Sequence, residues 1–313
     1  MRLISLDKVK PHMKLGRSIY RATGEMMLCK GTILTVQFIE RLNELGYTSL
    51  YVSDELIDDV VFDEVISEKT QLRAVECLQG VMNNVRKGRT FNTEAVKDVV
   101  SCIVEDLLDS RDIMVNLSNI WSFDEYTFDH SINVTVISII MGIGLHYTKG
   151  RLQDLGMGVI LHDLGKILVP GEIINKPGKL TVEEYEIIKL HTWHGFEMLR
   201  SNPKIKITSA HVALQHHERY NGSGYPRGLV GKRILEFARI TAIADVFDAI
   251  SNNRCYRSKF PVHKVYEYLL ENSGTGFDPL ILDSFIQKLA LFPKGTKVLL
   301  NDGRNVSVKY CTP

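Results

Sequence analysis

The sequence is poor in the features that mark disulfide-rich, secreted and membrane-spanning proteins. Its five cysteines are scattered, odd in number and without CxxC spacing, which argues against a disulfide framework and indicates reduced thiols. The longest apolar run, residues 134–145, is too short to cross a bilayer. The N-terminal stretch is charged throughout and has no signal-peptide core. We therefore expect a soluble cytoplasmic protein with no membrane partner.

An excess of charge of one sign is also missing. The chain has 38 lysines and arginines against 37 aspartates and glutamates. Nothing in this balance requires a nucleic acid or an anionic surface as partner, so we expect no binding to DNA. A local basic cluster could still meet a phosphate-bearing ligand.

The first part of the chain divides into two segments by its hydrophobic pattern. Residues 1–54 contain short apolar stretches between turn signals and one helical stretch that ends at Gly46, and they predict a small β-rich domain. In residues 55–92, apolar side chains recur at helical spacing and predict a connecting helix. A dimerisation or signal-relay helix is the alternative for this segment.

The rest of the chain reads as a helical domain followed by a hairpin. Residues 93–291 have helical periodicity almost throughout, without strand-like alternation, and predict an all-α bundle of roughly seven to nine helices. In residues 292–313, Asn301, Asp302 and Gly303 separate two alternating apolar runs, which predicts a β hairpin. The expected fold is mainly α, with a β-rich N-terminal domain and a C-terminal β hairpin.

Histidine and aspartate recur on or near the ends of successive predicted helices in this bundle. Imidazole nitrogens and carboxylates suit borderline divalent cations, whereas buried imidazoles without partners are costly. Helices of a bundle can each direct one residue or pair to a shared centre. The candidate metal ligands are His130, His162, Asp163, His191, His216, His217 and Asp245.

Seven ligands exceed what one tetrahedral ion accepts, so two ions are the natural count, with Asp163 as the candidate bridge. Two ions about 3.5–4 Å apart suit phosphoester hydrolysis, because they make hydroxide available at neutral pH and hold the phosphate. Lys166 would neutralise charge on the phosphate, so Asp163 and Lys166 are the catalytic candidates. Taken singly, these residues have plainer interpretations: a chance His-Asp dipeptide, or a solvated helix end at His216 and His217.

Two further segments offer groups that could bind a substrate. In the turn NGSGYP, Gly222 and Gly224 permit close approach of a ligand, and Tyr225 can stack on a base. Further along, Arg254 and Arg257 can bind a phosphate or a guanine edge in bidentate fashion. The plainer alternatives are an ordinary loop after a helix and a solvated basic loop.

With these residues assembled, the chain resembles the HD-GYP proteins, the bacterial cyclic di-GMP phosphodiesterases of the HD superfamily. The resemblance rests on the motifs HDLGK, HHERYNGSGYP and DVFDAISNNRCYR and covers about residues 110–291. It implies an HD-type helical domain with a di-metal centre, often iron or manganese, that hydrolyses cyclic di-GMP to pGpG and in some members on to GMP. It also implies that Arg254 and Arg257 contact the ligand. By motif, one ion takes His130, His162, Asp163 and Asp245, and the other takes Asp163, His191, His216 and His217.

The chain departs from the family pattern at four positions. Tyr126 stands where members with a third metal have a glutamate, which implies two ions here. Arg257 replaces a frequent lysine, and His12 replaces a glycine of the N-terminal motif. Asn221 replaces an aspartate, with little expected effect because a turn accepts either residue.

Three functions stay open at this point. The leading one is hydrolysis of cyclic di-GMP, and the second keeps the chemistry but changes the substrate to another cyclic dinucleotide, such as cyclic GMP–AMP, or to a nucleotide monoester. The third is a signalling module that binds cyclic di-GMP with little hydrolysis. Other transition metals also fit these ligands, and a homodimer is left open.

Overall fold

The computed structural model describes residues 2–16, 18–20, 26–45, 47, 49–53, 65–110, 126–251, 262–289, 297–299 and 302–307. The described residues fall into two compact units. The first takes in those of 1–64, 116–126 and 290–313, and the second those of 65–115 and 127–289. Gly46 and the arginines at 254 and 257 lie outside the described residues, and the domain boundaries expected from the sequence stay a prediction.

The first unit contains a small antiparallel sheet. The elements of this unit are β1 (Arg2–Ser5), β2 (Lys14–Leu15), β3 (Ile19–Tyr20), β4 (Met26–Leu28), α1 (Val36–Glu44), β5 (Ser49–Ser53), β6 (Lys297–Leu299) and β7 (Asn305–Ser307). The strand order is β1-β5-β2, and β3 pairs with β4 and β6 with β7. Buried Leu15, Leu34, Leu42 and Val52 form its core. His12 has a φ of +73°, the left-handed conformation that glycine adopts most readily.

The second unit is helical, and none of its described residues belongs to a named strand. Its helices are α2 (Glu68–Arg86), α3 (Thr93–Asp109), α4 (Tyr126–Gly144), α5 (Lys149–Ile160), α6 (Gly171–Ile174), α7 (Val182–Arg200), α8 (Ile207–Gln215), α9 (Glu236–Ser251), α10 (Val262–Glu271) and α11 (Pro279–Ile286). The mainly α fold predicted from periodicity is therefore confirmed. None of the helices that the structure describes combines the length and hydrophobicity needed to cross a bilayer.

Helices α4 and α9 lie in the core of this unit. Every residue from 129 to 142 of α4 is buried, and most of α9 is buried as well. A helix that is surrounded by protein on all sides normally has an apolar sequence. Helix α4 nevertheless buries polar side chains, among them His130, Asn133 and Ser138. Buried polar groups need partners, so packing alone does not account for them.

A short 3-10 helix, Leu164–Leu168, follows α5 and packs on α7 and on α2. Gly165 makes this close approach possible, because a Cβ there would lie 1.9 Å from the carbonyl oxygen of His191. At this glycine the backbone of the element that follows Asp163 and carries Lys166 therefore touches the backbone of α7, which carries His191. Thr181 starts α7 with a capping box, in which it exchanges hydrogen bonds with Glu184.

Candidate metal centre

All seven candidate ligands come together in the second unit. They arrive from α4, from the turn after α5, from α7, from the end of α8 and from α9. They form two groups, and within each group the potential ligand atoms lie within 4.8 Å of one another. One group is His130, His162 and Asp245, and the other is Asp163, His191, His216 and His217.

Asp163 presents one carboxylate oxygen to each group. Its Oδ1 lies 3.6 Å from Nε2 of His191 and 3.7 Å from Nε2 of His216. Its Oδ2 lies 3.4 Å from Nε2 of His162 and 3.8 Å from Nε2 of His130. Asp163 would therefore be able to offer one oxygen to a cation in each group.

Three of the histidines are oriented by the backbone behind them. Each donates its Nδ1–H to the carbonyl oxygen three residues back along the chain, at 2.7 Å for His162, 2.6 Å for His191 and 3.0 Å for His216. The carbonyl can only accept, which fixes the tautomer and leaves Nε2 with its lone pair. All three Nε2 atoms face Asp163, so the backbone holds these rings ready to bind a metal.

His130 is oriented by a carboxylate instead. Its Nδ1 lies 2.7 Å from Oδ2 of the fully buried Asp248, and its Nε2 lies 3.1 Å from Oδ1 of Asp245. Burial opposes a charge on His130, but the hydrogen bonds to Asp245 and Asp248 outweigh it and raise the pKa of the imidazole to about 10. The two carboxylates thus make His130 the most basic imidazole of the centre.

The other candidate ligands have protonation states that suit binding of a cation. Burial lowers the pKa of His162, His191 and His216, and it lowers the pKa of His217 to about 3, so these imidazoles are neutral. Burial alone would raise the pKa of the Asp163 carboxyl, but the Lys166 ammonium and the neighbouring imidazoles hold it well below its usual range. Apart from His130, which must lose its proton before it can bind a cation, the donor set is therefore neutral nitrogens and anionic oxygens.

Two buried atoms of the centre lack partners that a bound group could supply. Nε2 of His162 and Oδ1 of Asp163 have no hydrogen-bond partner among the described residues. Leaving such a buried atom unsatisfied costs about 1–3 kcal/mol. A divalent cation would satisfy both atoms, and imidazoles with carboxylates are suitable ligands for one. The residues therefore fit a divalent metal site.

The centre is open towards solvent on the side of Lys166, His217 and Asp245, whose side chains are 31%, 20% and 13% exposed. Nζ of Lys166 lies 2.5 Å from Oδ2 of Asp163. The candidate lysine therefore contacts the shared carboxylate and also reaches the surface from which a substrate would arrive.

The NGSGYP turn borders the same opening. Tyr225 lies against His217 with ring centroids 4.8 Å apart, and its backbone N–H donates to the carbonyl oxygen of His217 at 3.2 Å. A Cβ on Gly224 would lie 2.4 Å from that same oxygen, so only glycine fits. Gly222 has a φ of +86°, which also favours glycine. The turn is thus attached to a candidate ligand.

Asn221 forms the turn expected of it. Its Oδ1 accepts hydrogen bonds from the backbone N–H of Ser223 at 3.0 Å and from its hydroxyl at 2.7 Å. An aspartate oxygen would accept the same bonds.

Sequence analysis missed two buried carboxylates that support the site. Asp248 follows Asp245 by three residues on α9, a spacing that puts both on one helix face and could have identified it. Glu218, directly after the histidine pair, accepts hydrogen bonds from the backbone N–H groups of Arg227 and Leu229, both at 2.9 Å, and so holds the NGSGYP turn. Its position next to two candidate ligands was the available signal.

Comparison with known proteins identifies the family. An HD domain family model matches residues 105–281. The chain belongs to the HD domain family. The motif HHERYNGSGYP, which ends in Gly224, Tyr225 and Pro226, makes it an HD-GYP protein of that family. A structure described as an HDG"Y"P protein, Bd1817 from Bdellovibrio bacteriovorus, has the same fold, with a TM-score of 0.57 at 19% identity over 91% of this chain and 97% of that one.

Several curated relatives are similar in sequence. Cyclic di-GMP phosphodiesterase PA4108 from Pseudomonas aeruginosa is 32% identical over 232 residues, 74% of this chain and 56% of the relative. The cyclic di-GMP phosphodiesterase response regulator RpfG from Xanthomonas campestris is 44% identical over 144 residues, 46% of this chain and 38% of the relative. The 3'3'-cGAMP-specific phosphodiesterase 3 from Vibrio cholerae is 35% identical over 168 residues, 54% and 36% of the two chains. The chain thus spans at most about half the length of these relatives.

Proposed function

We propose that the chain is a metal-dependent phosphodiesterase that hydrolyses cyclic di-GMP to linear pGpG, with GMP as the product of a further hydrolysis. The observation that carries this proposal is the position of Asp163, which has one oxygen towards each of two groups of buried nitrogen and oxygen donors. Relatives named cyclic di-GMP phosphodiesterases support the choice of substrate.

The centre would hold two divalent ions, iron or manganese in the first instance, although these donors also suit other transition metals. One ion would be bound by the first group of donors and the other by the second, and Asp163 would serve both. When bound, such ions lower the pKa of water and polarise a phosphate. The assigned ligands are His130, His162, Asp163 and Asp245 for one ion and Asp163, His191, His216 and His217 for the other.

The chain's own residues would position the substrate and balance its charge. The Lys166 ammonium stands at the opening beside Asp163, where it would offset the negative charge that develops on the phosphate. Tyr225 offers a ring face beside His217, on which a base could stack. Gly222 and Gly224 are substrate-binding candidates on the sequence pattern alone, because the space that a Cβ would need at each is taken up by neighbouring protein atoms. Arg254 and Arg257, on the sequence pattern alone, would bind phosphate or guanine.

A second candidate substrate has specific support. Relatives from Vibrio cholerae named 3'3'-cGAMP-specific phosphodiesterases are 39% identical over 128 residues and 35% identical over 168 residues. Both substrates have the same ring of two phosphodiesters, so the metal centre would not distinguish them. The choice between them belongs to the groups that contact the bases.

The test is anaerobic purification, metal analysis, and hydrolysis of cyclic di-GMP and 3'3'-cGAMP side by side on one sample with added Fe²⁺ or Mn²⁺. We expect about two ions per chain and faster release of pGpG than of the cGAMP product.

Asp163→Asn should abolish turnover, since it removes the charge shared by both groups. Asp154→Asn, the same change at the Asp154–Lys206 ion pair, should not. Tight binding without hydrolysis in the fully metallated protein would contradict the enzyme and favour a signalling module.

A further inference from the structure

The two groups of candidate ligands differ in charge. One, here called the acidic half, consists of His130, His162 and Asp245 and has a carboxylate of its own besides the facing oxygen of Asp163. The other, here called the imidazole half, has three imidazoles, and among the described residues it groups with one carboxylate, that of Asp163. Because a divalent cation is attracted by each carboxylate that it approaches, the acidic half is the stronger electrostatic site once the proton on His130 has been displaced.

Asp245 lies closer to His130 of the acidic half than to His217 of the imidazole half, although it is near both. Its Oδ1 lies 3.1 Å from Nε2 of His130, whereas its Oδ2 lies 3.8 Å from Nδ1 of His217. The difference of 0.7 Å between these two distances leaves Asp245 as a ligand of the acidic half first. The excess of negative charge is therefore on that side.

The groups behind the ligands increase the difference. In the imidazole half, His191 and His216 donate their Nδ1–H groups to neutral backbone carbonyls. In the acidic half, Nδ1 of His130 lies 2.7 Å from the carboxylate of Asp248, which is fully buried and also accepts a hydrogen bond from Asn133. A carboxylate behind an imidazole fixes the ring and makes its free nitrogen a better donor, and losing it typically costs 10- to 100-fold in metal affinity.

We propose that the two halves bind metal in a fixed order, the acidic half first, and that Asp248 is the positioning residue that sets this order through His130. The inference rests on the proposed function only in that the centre holds two ions. At a limited metal supply the chain would hold one ion in the acidic half. Hydrolysis, which needs both ions, would then follow the free metal concentration through occupancy of the imidazole half.

The test is a titration of the metal-free full chain with Mn²⁺ under anaerobic conditions, with free Mn²⁺ counted by electron paramagnetic resonance. We expect two binding steps, the first at least about tenfold tighter than the second. Asp248→Asn, which keeps the shape but removes the charge, should weaken the tight step 10- to 100-fold and leave the weak step nearly unchanged. Equal steps in the wild-type chain, or a variant that weakens both steps by the same factor, would overturn the proposal.

Ser251→Ala is the matched control. Ser251 lies on the same helix, three residues after Asp248; it is buried, and its hydroxyl has no hydrogen-bond partner among the described residues. Its loss should change neither step. Circular dichroism of the metal-free proteins checks that each variant folds. Should Asp248→Asn not fold, Asn133→Ala, which removes another partner of the same carboxylate, should weaken the tight step alone, and an unchanged tight step would count against the proposal.

Two further variants assign the steps to the halves. His217→Ala should remove the weak step and leave the tight one, and His130→Ala should remove the tight step. The reverse assignment would overturn the order. The titration measures no hydrolysis, so a chain that binds Mn²⁺ in this order without cleaving cyclic di-GMP would contradict the proposed function and leave this inference standing.

Discussion

At the scale of single residues, Lys166 sets the charge of the carboxylate that the two groups share. Full burial would favour a neutral Asp163, yet the ammonium 2.5 Å away is the first of the charges that keep its pKa well below the usual range. The same lysine is 31% exposed at the opening of the centre. It therefore links the buried carboxylate to the surface at which substrate would arrive.

We predict that Lys166→Met lowers kcat for cyclic di-GMP about 10²- to 10³-fold, the usual cost of removing one group that stabilises charge in a transition state. KM should change less, because the substrate's other contacts remain. Steady-state kinetics on protein with measured metal content would check this. Lys179→Met, at an exposed lysine of the same region, is the control, and a Lys166 variant with kcat like that of the control would contradict the assigned role.

The sequence identifies the site's side chains better than their partners. Adjacent pairs such as His162 and Asp163 stand out in the sequence, because two neighbouring polar side chains at a buried helix end are costly unless they have partners. Which oxygen of Asp163 faces which group depends on tertiary packing, and no spacing in the sequence contains that information. The spacing of Asp248 from Asp245 puts both on one helix face, but its contact with His130 depends on the packing of α9 against α4. The ligand roles stay a prediction.

At the scale of elements, periodicity located the long helices and capping set their ends. Helix α3, at the start of the segment with predicted helical periodicity, begins at Thr93 because the Asn92 side chain accepts hydrogen bonds from the first free N–H groups. The four-residue α6 and the 3-10 helix after α5 were not predicted. Segments of one turn are too short for a hydrophobic period to appear, and here one of them carries Lys166.

A substitution at Gly165 tests how closely this 3-10 helix must approach α7. We predict that Gly165→Ala lowers the melting temperature and the metal content together, because the new Cβ would lie 1.9 Å from the carbonyl oxygen of His191 and 2.5 Å from the backbone nitrogen of Gly195. Backbone atoms cannot give way as a flexible side chain can, so the two elements must separate. Overpacking of this kind typically costs about 1–3 kcal/mol.

The matched control for this change is Gly80→Ala within α2, where the added methyl group meets nothing within 4 Å. Alanine is the better helix former, so this variant should be more stable by about 0.5–1 kcal/mol. Thermal melts and metal analysis of the two variants would separate the contact at residue 165 from a general effect of alanine. Full metal content in Gly165→Ala would show that the spacing is not critical.

At the scale of the whole helical unit, the centre lies where the fold would otherwise have an apolar core. Helix α4 is buried along residues 129–142, and α9 supplies Asp245 and Asp248 beside it. Bringing His130, His162 and these carboxylates out of water is costly unless opposite charge compensates for it. The unpartnered nitrogen of His162 and oxygen of Asp163 are part of that cost. The fold consequently gains stability from whatever cation it binds.

Removal of metal should therefore lower the melting temperature of the chain without unfolding it at room temperature. A ligand present at 100 times its dissociation constant stabilises the folded state by about 2.7 kcal/mol. For a helical unit of this size each kcal/mol shifts the melting temperature by roughly 2–4 °C, so we expect chelation to cost roughly 5–11 °C for each ion that it removes. Scanning calorimetry before and after chelation would measure it.

Mn²⁺ should restore the transition and Mg²⁺ should not, because Mg²⁺ prefers oxygen ligands and retains its water, whereas five of the seven donors here are imidazoles. Equal recovery with both ions would mean that the carboxylates alone bind the metal.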